Sequence, residues 1–104
     1  MSLNVSIRAK REVEVYEANI TYNLSKMYYK CIDKEQGLKR LNGMMCAQCI
    51  PILNDAIKDM IKNRKEYEEL NPENGWGSYA GLLKTFQKMR DCCEENPDGI
   101  VEVE

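Results

Sequence analysis

The chain has 104 residues and is expected to fold as a single domain over residues 1–104. Its hydrophobic fraction of 43% and charged fraction of 31% are those of a globular protein and argue against wholesale disorder. The formal net charge of −2 disfavours a broadly basic nucleic-acid binder, and the absence of histidine excludes catalysis or metal binding through an imidazole.

Neither a membrane segment nor an export signal is recognisable in the chain. No apolar run approaches the roughly 20 residues that a membrane helix needs, so no membrane association is expected. The first residues do not resemble a secretory leader, so we expect a cytoplasmic protein. In that compartment the five cysteines are expected to be reduced thiols, and an odd number also fits poorly with a fully paired disulfide framework.

The start of the chain alternates between apolar and polar residues, which predicts the two strands of a hairpin. The apolar residues of this pattern, expected to lie on the buried face, are Leu3, Val5, Ile7, Val13 and Val15. The turn of the hairpin is expected near Lys10 and Arg11. The charges of Arg11, Glu12 and Glu14 are expected to face solvent, as in an antiparallel sheet with one solvent-exposed face.

Helical spacing replaces the alternation at residues 19–23. The apolar stripe of this first helix consists of Leu24, Met27, Tyr28 and Cys31, at positions i, i+3, i+4 and i+7. Thr21 or Asn23 is expected to cap the start of the helix by accepting a hydrogen bond from a free backbone N–H. Gly37 is expected to end the helix, because glycine is common just after the last helical turn.

The second predicted helix has Pro51 in its first turn, where the missing N–H of proline costs nothing. Its buried stripe is expected to consist of Ile50, Leu53, Ile57, Met60 and Ile61. Its polar side is expected to consist of Asp55, Lys58, Asp59 and Lys62. We expect the helix to run to about Leu70, where Asn71 and Pro72 end it.

Ser78 is expected to be the N-cap of a third helix, after a glycine-containing connection over residues 71–77. The apolar positions of this helix are Tyr79, Leu82, Leu83, Phe86 and Met89. Residues 96–99 have the composition of a turn, and Ile100–Val103 that of a short strand. These elements predict an α+β fold in the order β-β-α-α-α-β. The N-terminal hairpin and the C-terminal strand form a small antiparallel sheet that three helices cover on one face.

Two segments carry a resemblance that extends over most of the chain. They are Ala-Asn-Ile-Thr-Tyr-Asn-Leu-Ser-Lys-Met at residues 18–27 and Asn-Pro-Glu-Asn-Gly-Trp-Gly-Ser-Tyr-Ala-Gly-Leu at residues 71–82. In these segments the chain resembles a family of small uncharacterised proteins from bacteria and their phages, whereas residues 32–50 match poorly. The family has histidine where this chain has Tyr22, so a function that needs an imidazole there is not expected. The resemblance implies a fold and a phage or prophage context, and it implies no activity.

The cysteines offer an alternative function, a zinc or redox module. Cys46 and Cys49 form a C-x-x-C pair that enters the second helix, and at a helix N-terminus the dipole would favour a thiolate. A zinc site would also need Cys92 and Cys93, but adjacent helical residues point about 100° apart and cannot easily both reach one ion. A thioredoxin-like pair would follow a strand directly, unlike this one. The favoured interpretation is that the cysteines act as small hydrophobic residues and hold no metal or cofactor.

The loop Asn74-Gly75-Trp76-Gly77 is the most specific local motif of the chain. Glycines on both sides of the only tryptophan allow a tight turn, and the favoured interpretation is that the indole lies against the helices. The alternative is an exposed Trp76 that anchors a partner.

A polar cluster and a group of tyrosines surround the predicted strand-to-helix turn. The cluster consists of Asn19, Thr21 and Asn23, side chains that bind anions at some turns but usually bond the local backbone. The tyrosines are Tyr16, Tyr22, Tyr28 and Tyr29, and Lys26 and Lys30 lie close to them in sequence. Stacking rings beside lysines would suit single-stranded nucleic acid, a weaker alternative. A core and interface role is favoured, because tyrosine can bury its ring while its hydroxyl stays in contact with solvent.

These observations favour a non-enzymatic accessory or interaction protein of phage type, because no catalytic set of residues is recognisable. The predicted binding residues, from the turn and the tryptophan loop, are Asn19, Thr21, Tyr22, Asn23, Asn74 and Trp76. We expect a protein partner, no cofactor and no nucleic acid. A homodimer is also compatible with the sequence, through an apolar patch at Met44 and Met45 or through the sheet edge.

Overall fold

A computed structural model of the chain describes residues 1–9 and 13–104. Its strands and α-helices are β1 (Ser2–Arg8), β2 (Glu14–Thr21), α1 (Ser25–Cys31), α2 (Cys46–Lys62), α3 (Arg64–Glu68), α4 (Tyr79–Glu95) and β3 (Ile100–Val103). Short 3₁₀ segments lie at Tyr22–Leu24 and Gly37–Leu41. The strands form one antiparallel sheet in the order β2-β1-β3. The predicted α+β class is confirmed, and the element order matches the prediction apart from the additional short helix α3.

Strand β1 forms the centre of the sheet and shows the predicted alternation. Leu3, Val5 and Ile7 are buried in the core, whereas Asn4 and Arg8 on the other face are exposed. This alternation buries one face of the sheet under the helices and leaves the other face open to solvent.

Strand β2 has a different inner face from the one predicted. Val13 and Val15 are 57% and 40% exposed, so their assignment to the buried face is wrong. Ile20 is buried, and Tyr16 and Ala18 are partly buried. The inner face of β2 is therefore formed by Tyr16, Ala18 and Ile20.

An irregularity in the register explains the exposed valine in β2. Ile7 pairs with Tyr16, but the next residue, Arg8, pairs with Glu14. Val15 is thus an extra residue on β2, as in a β-bulge, and the side-chain pattern shifts at this point. Glu14 is exposed, as predicted. The predicted turn residues Lys10 and Arg11, and the neighbouring Glu12, lie outside the described residues.

Helix α1 ends at Cys31, so the prediction that it continues to Gly37 is wrong. The side chain of Asp33 closes a turn directly after the helix, because its Oδ1 accepts the backbone N–H groups of Glu35 and Gln36, each at 2.8 Å. Gly37 instead begins the second 3₁₀ segment with a φ of 58°. Within the predicted stripe, Leu24, Met27 and Tyr28 are buried and Cys31 is half-buried.

Helix α2 is both earlier and shorter than predicted. It begins at Cys46, which places Pro51 inside the helix and not in its first turn. It ends at Lys62, and Asn63 separates it from α3, so the prediction of one continuous helix to Leu70 is wrong. Of the predicted stripe, Leu53, Ile57 and Met60 are buried and Ile50 is half-buried.

The carboxylate of Asp59 holds the break between α2 and α3. It accepts hydrogen bonds from Asn63 Nδ2 at 2.8 Å and from the hydroxyl of Tyr67, whose ring is fully buried. Asp59 is therefore half-buried, although the sequence placed it on the polar side. Ile61 is 56% exposed and not buried as predicted, because Met60 occupies the core position of that turn.

Helix α4 begins at the predicted cap. Ser78 Oγ accepts the backbone N–H of Gly81 at 3.1 Å, which confirms Ser78 as the N-cap. Of the predicted apolar positions, Tyr79, Leu82, Phe86 and Met89 are buried and Leu83 is half-buried. Helix α4 packs mainly against α2. None of the helices in the described ranges is both long and apolar enough to cross a membrane.

Candidate functional site

The two predicted loops lie side by side, although they are far apart in sequence. Asn74 Nδ2 donates a hydrogen bond to Asn23 Oδ1 at 3.3 Å, across 51 positions of the chain. We call residues 19–23 together with residues 74–77 the turn–loop surface. It joins the end of β2 to the connection that leads into α4, and it contains all six predicted binding residues.

Thr21 organises the turn half of this surface. Its Oγ1 accepts the backbone N–H of Asn23 at 3.3 Å and the side-chain Nδ2 of Asn23 at 2.9 Å. Thr21 is thus the N-cap of the 3₁₀ segment that leads into α1, which confirms the predicted capping role. Asn23 is bonded to Thr21 on one side and to Asn74 on the other, so its amide is fixed in orientation.

The loop half is held by one side chain and two glycines. Asn74 Oδ1 accepts the backbone N–H of Trp76 at 2.9 Å. Gly75 and Gly77 have φ values of 74° and 96°, in the left-handed region that favours glycine. A Cβ at position 77 would lie only 2.9 Å from Thr21 Cγ2, so glycine is also required for the loop to approach the turn.

Trp76 points away from the protein. Its side chain is 70% exposed, so the favoured prediction that the indole packs against the helices is wrong. The prediction of a tight glycine turn around it is confirmed by the two positive φ values. The geometry thus presents a large apolar ring on a loop whose backbone is held by hydrogen bonds and close packing.

Tyr22 stands between two clefts next to the turn–loop surface, and it is 39% exposed. One cleft has a volume of about 550 Å³ and carries Lys26 together with Glu69 and Glu73. The other has a volume of about 330 Å³ and is lined by further tyrosine rings. Both clefts are open to solvent, and the larger one combines cationic and anionic groups.

The predicted tyrosine cluster reaches the surface only in part. Tyr22 and Tyr29 are exposed, Tyr16 is half-buried and Tyr28 is buried. Lys30 lies 3.5 Å from the carboxylate of Glu66 and over the ring of Tyr67, so it is engaged elsewhere. The rings available for stacking beside Lys26 are therefore those of Tyr22 and Tyr29.

Asn19 differs from the other predicted site residues because its side chain lies on the open face of the sheet. Its Nδ2 donates to Asn4 Oδ1 on the neighbouring strand at 2.7 Å. Asn19 also lines a groove between β2 and α4, together with Gly81 and Thr85, which the sequence did not indicate. Only the folded chain brings this strand beside the start of that helix.

The four cysteines of the zinc or redox alternative are core residues or lie at its margin. Cys46, Cys49 and Cys93 are fully buried, and Cys92 is half-buried. Burial raises the pKa of all four thiols, that of Cys49 to about 11. Among residues 1–9 and 13–104, no group of three or more cysteine, aspartate or glutamate side chains is placed to hold a metal ion.

The start of α2 does not activate Cys46. The backbone N–H groups of Cys46 and Ala47 already donate to the carbonyl oxygens of Gly99 (2.7 Å) and Pro97 (3.0 Å). Burial also raises the pKa of Cys46, which disfavours the thiolate that the zinc or redox alternative needs.

Thiol titration checks this assignment. We expect Cys46, Cys49 and Cys93 in the folded protein to react with a thiol reagent near pH 8 at least about tenfold more slowly than in denaturant, because the reactive thiolate is scarce and shielded. The matched control is Ala47→Cys, which places a thiol at an exposed position of the same helix end. A thiol at Cys46 that reacts as fast as the one at position 47 would contradict the burial and favour the redox alternative.

The turn–loop surface offers an indole, a phenol ring and fixed amides, which are groups suited to binding a partner. Three charged side chains, those of Lys26, Glu69 and Glu73, line the cleft beside Tyr22. Comparison with protein-family models, curated proteins and solved structures found no match for this chain.

Proposed function

We propose that this chain is a small non-enzymatic interaction protein that binds a protein partner through the turn–loop surface, with Trp76 as the anchor. The observation that carries the proposal is the 70% exposure of Trp76 on a loop held against a second loop. Tryptophan is enriched among the residues that contribute most to protein–protein binding.

The order in the loop supports a binding role for its tryptophan. A loop that is already ordered loses less conformational entropy on association than a mobile one. Asn74 bonds both the backbone of Trp76 and the side chain of Asn23, and Gly77 lies in close contact with Thr21. These contacts fix the backbone of the loop that carries the indole. Tyr22 offers a second exposed aromatic ring on the same surface.

The biological context that we propose follows from the resemblance of residues 18–27 and 71–82. It is an accessory role in a phage or prophage, carried out in the cytoplasm of the bacterial host. A second copy of the chain is one candidate for the partner, and a different protein is the other.

Photo-crosslinking tests the proposed surface. A photoreactive amino acid in place of Tyr22 is expected to give a discrete protein adduct in a lysate of the host cell. The additional change Trp76→Ala is expected to lower the adduct yield at least about tenfold, as for a residue that dominates an interface. Trp76→Ala should change the free energy of unfolding by no more than about 0.5 kcal/mol, because the side chain is exposed.

Ile61→Ala is the matched control for the tryptophan substitution. Ile61 is also apolar and 56% exposed, but it lies at the end of α2, outside the turn–loop surface. It is expected to leave the adduct yield unchanged. If Trp76→Ala and Ile61→Ala have the same effect, or if position 22 gives no adduct, the proposed surface is wrong.

A further inference from the structure

The outer edge of β2 has no neighbouring strand among the residues that the structure describes, since β2 is outermost in the order β2-β1-β3. Asn4 of β1 exchanges both backbone hydrogen bonds with Glu104, at 2.9 and 2.8 Å, so it faces β3. Its partner on β2, Asn19, then directs its own N–H and C=O to the opposite side, since bonding alternates along an antiparallel ladder. By the same alternation, Glu17 and Asn19 both present their backbone groups at the free edge.

A groove lies beside this free edge. It has a volume of about 270 Å³ and is lined by Asn19 and Thr21 of β2 and by Gly81, Leu82 and Thr85 of α4. Glycine and threonine take little space on the helix side, and the buried Leu82 lies at the base of the groove.

The groove is continuous with the turn–loop surface. Gly77 and Ser78, which follow Trp76, line it together with Thr21. A segment bound along β2 would therefore meet the tryptophan loop at one end.

The open face of the sheet carries four carboxylates and one guanidinium, on Glu14, Glu17, Glu102, Glu104 and Arg8. Glu14 and Glu17 belong to β2 and lie nearest the free edge, whereas Glu102 and Glu104 lie at the β3 side of the sheet. Arg8 pairs with Glu102 at 3.3 Å. Within the described part of the chain, no lysine or arginine nitrogen lies within 4.0 Å of the carboxylates of Glu17 and Glu104. With two carboxylates and no cationic residue on β2 itself, the free edge is complementary to a basic segment.

We propose that the partner supplies an extended basic segment that adds to β2 as a fourth strand, an inference that rests on the function proposed above. Its main chain bonds the free N–H and C=O groups of Glu17 and Asn19. In such strand addition, main-chain hydrogen bonds provide affinity and alternate side chains provide specificity. Lysine or arginine side chains of the segment lie beside Glu17 on the open face. Small apolar side chains point into the groove towards Leu82.

A second copy of β2 fits this edge less well. Residues 14–21 contain Glu14 and Glu17 and no cationic residue. Pairing two copies would bring four carboxylates into one interface, where like charges destabilise cross-strand pairing. A basic segment neutralises the same groups.

The probe is the synthetic peptide acetyl-Lys-Val-Lys-Val-Lys-amide, titrated into the full chain at physiological ionic strength. Binding is followed by the fluorescence of Trp76, the only tryptophan, and by the NMR shifts of backbone amides. We expect saturable binding with the largest amide shifts in β2, at Glu17 and Asn19. Two control peptides should bind at least about tenfold more weakly: one with glutamate in place of lysine, and the lysine peptide with every backbone nitrogen methylated.

Charge reversal at two positions separates strand addition from general attraction. Glu17→Lys, at the free edge, is expected to weaken binding of the lysine peptide about tenfold. Glu104→Lys makes the same charge change on the same face but beside β1, away from the free edge. It is expected to change the affinity less than about twofold, because exposed charges at a distance are screened.

Several results would overturn the inference. They are equal effects of the two charge reversals, equal binding of the methylated peptide, and no saturation at millimolar peptide. If sedimentation detects a dimer, and if the amide shifts that accompany dimerisation fall on Glu17 and Asn19, the edge binds a second copy. If the crosslink from position 22 persists and depends on Trp76 while the peptide test fails, only the strand addition is wrong. If both fail, the proposed function is wrong as well.

Discussion

Replacing Gly77 by alanine is expected to lower the free energy of unfolding by about 3 kcal/mol. The φ of 96° at this position lies in a region that costs an L residue about 1–2 kcal/mol. The added Cβ would lie 2.9 Å from Thr21 Cγ2 and 3.0 Å from Leu24, so the loop or the turn must move. Such overpacking costs about 1–3 kcal/mol. Urea unfolding followed by circular dichroism measures the total loss.

Gly75→Ala is the matched control, two residues away in the same loop. Its φ of 74° is also in the left-handed region, but a Cβ there would meet no atom within 4 Å. Only the backbone strain remains, so the expected loss is about 1–2 kcal/mol. Equal losses for the two variants would show that the tryptophan loop is not packed against the turn.

Alkaline pH is expected to destabilise the folded chain strongly. Burial raises the pKa of Cys49 from 9.0 to about 11, and burial together with the nearby Asp59 carboxylate raises the pKa of Cys31 to about 12. The folded state thus favours the neutral thiols. The stability that these neutral thiols contribute to the folded state is fully present below pH 9.0. It is lost as the pH rises towards 11 for Cys49 and 12 for Cys31. Each thiol that ionises only in the unfolded chain removes about 1.4 kcal/mol per pH unit.

Urea unfolding at intervals between pH 8 and pH 11 measures this decline, and Cys49→Ala provides the control. The variant loses some stability at neutral pH, because it leaves a small cavity in the core. Above pH 9.0 the free energy of unfolding of the variant should nevertheless fall less steeply with pH than that of the wild type, because one buried thiol is missing. Parallel declines in the wild type and the variant would show that Cys49 is not held in its neutral form by the fold.

Features that depend on neighbours in sequence were predicted well. The alternation of Leu3, Val5 and Ile7 predicts a strand with one buried face, and this is observed. Ser78 caps α4 because a serine side chain reaches an N–H only three residues away. Such short-range geometry is contained in the spacing of the residues themselves.

Element boundaries that depend on distant contacts were predicted poorly. The break after α2 is held by Asp59, which binds Asn63 and the hydroxyl of Tyr67. The periodicity of apolar residues does not encode that network. The exposure of Val15 likewise follows from how Ile7 and Arg8 pair with β2, and a register is a property of two strands together.

The candidate site divides in the same way. Sequence patterns were enough to predict the α+β class, a cap from Thr21 or Asn23, and a tight glycine turn around Trp76, because local backbone preferences and short hydrogen bonds produce these features. The folded structure was needed to identify Thr21 as the cap, to bring Asn23 to Asn74, to show that the indole faces solvent, and to place a groove beside the edge of β2. These features depend on how α4 and β2 pack against the common core, which brings together residues that no local pattern relates.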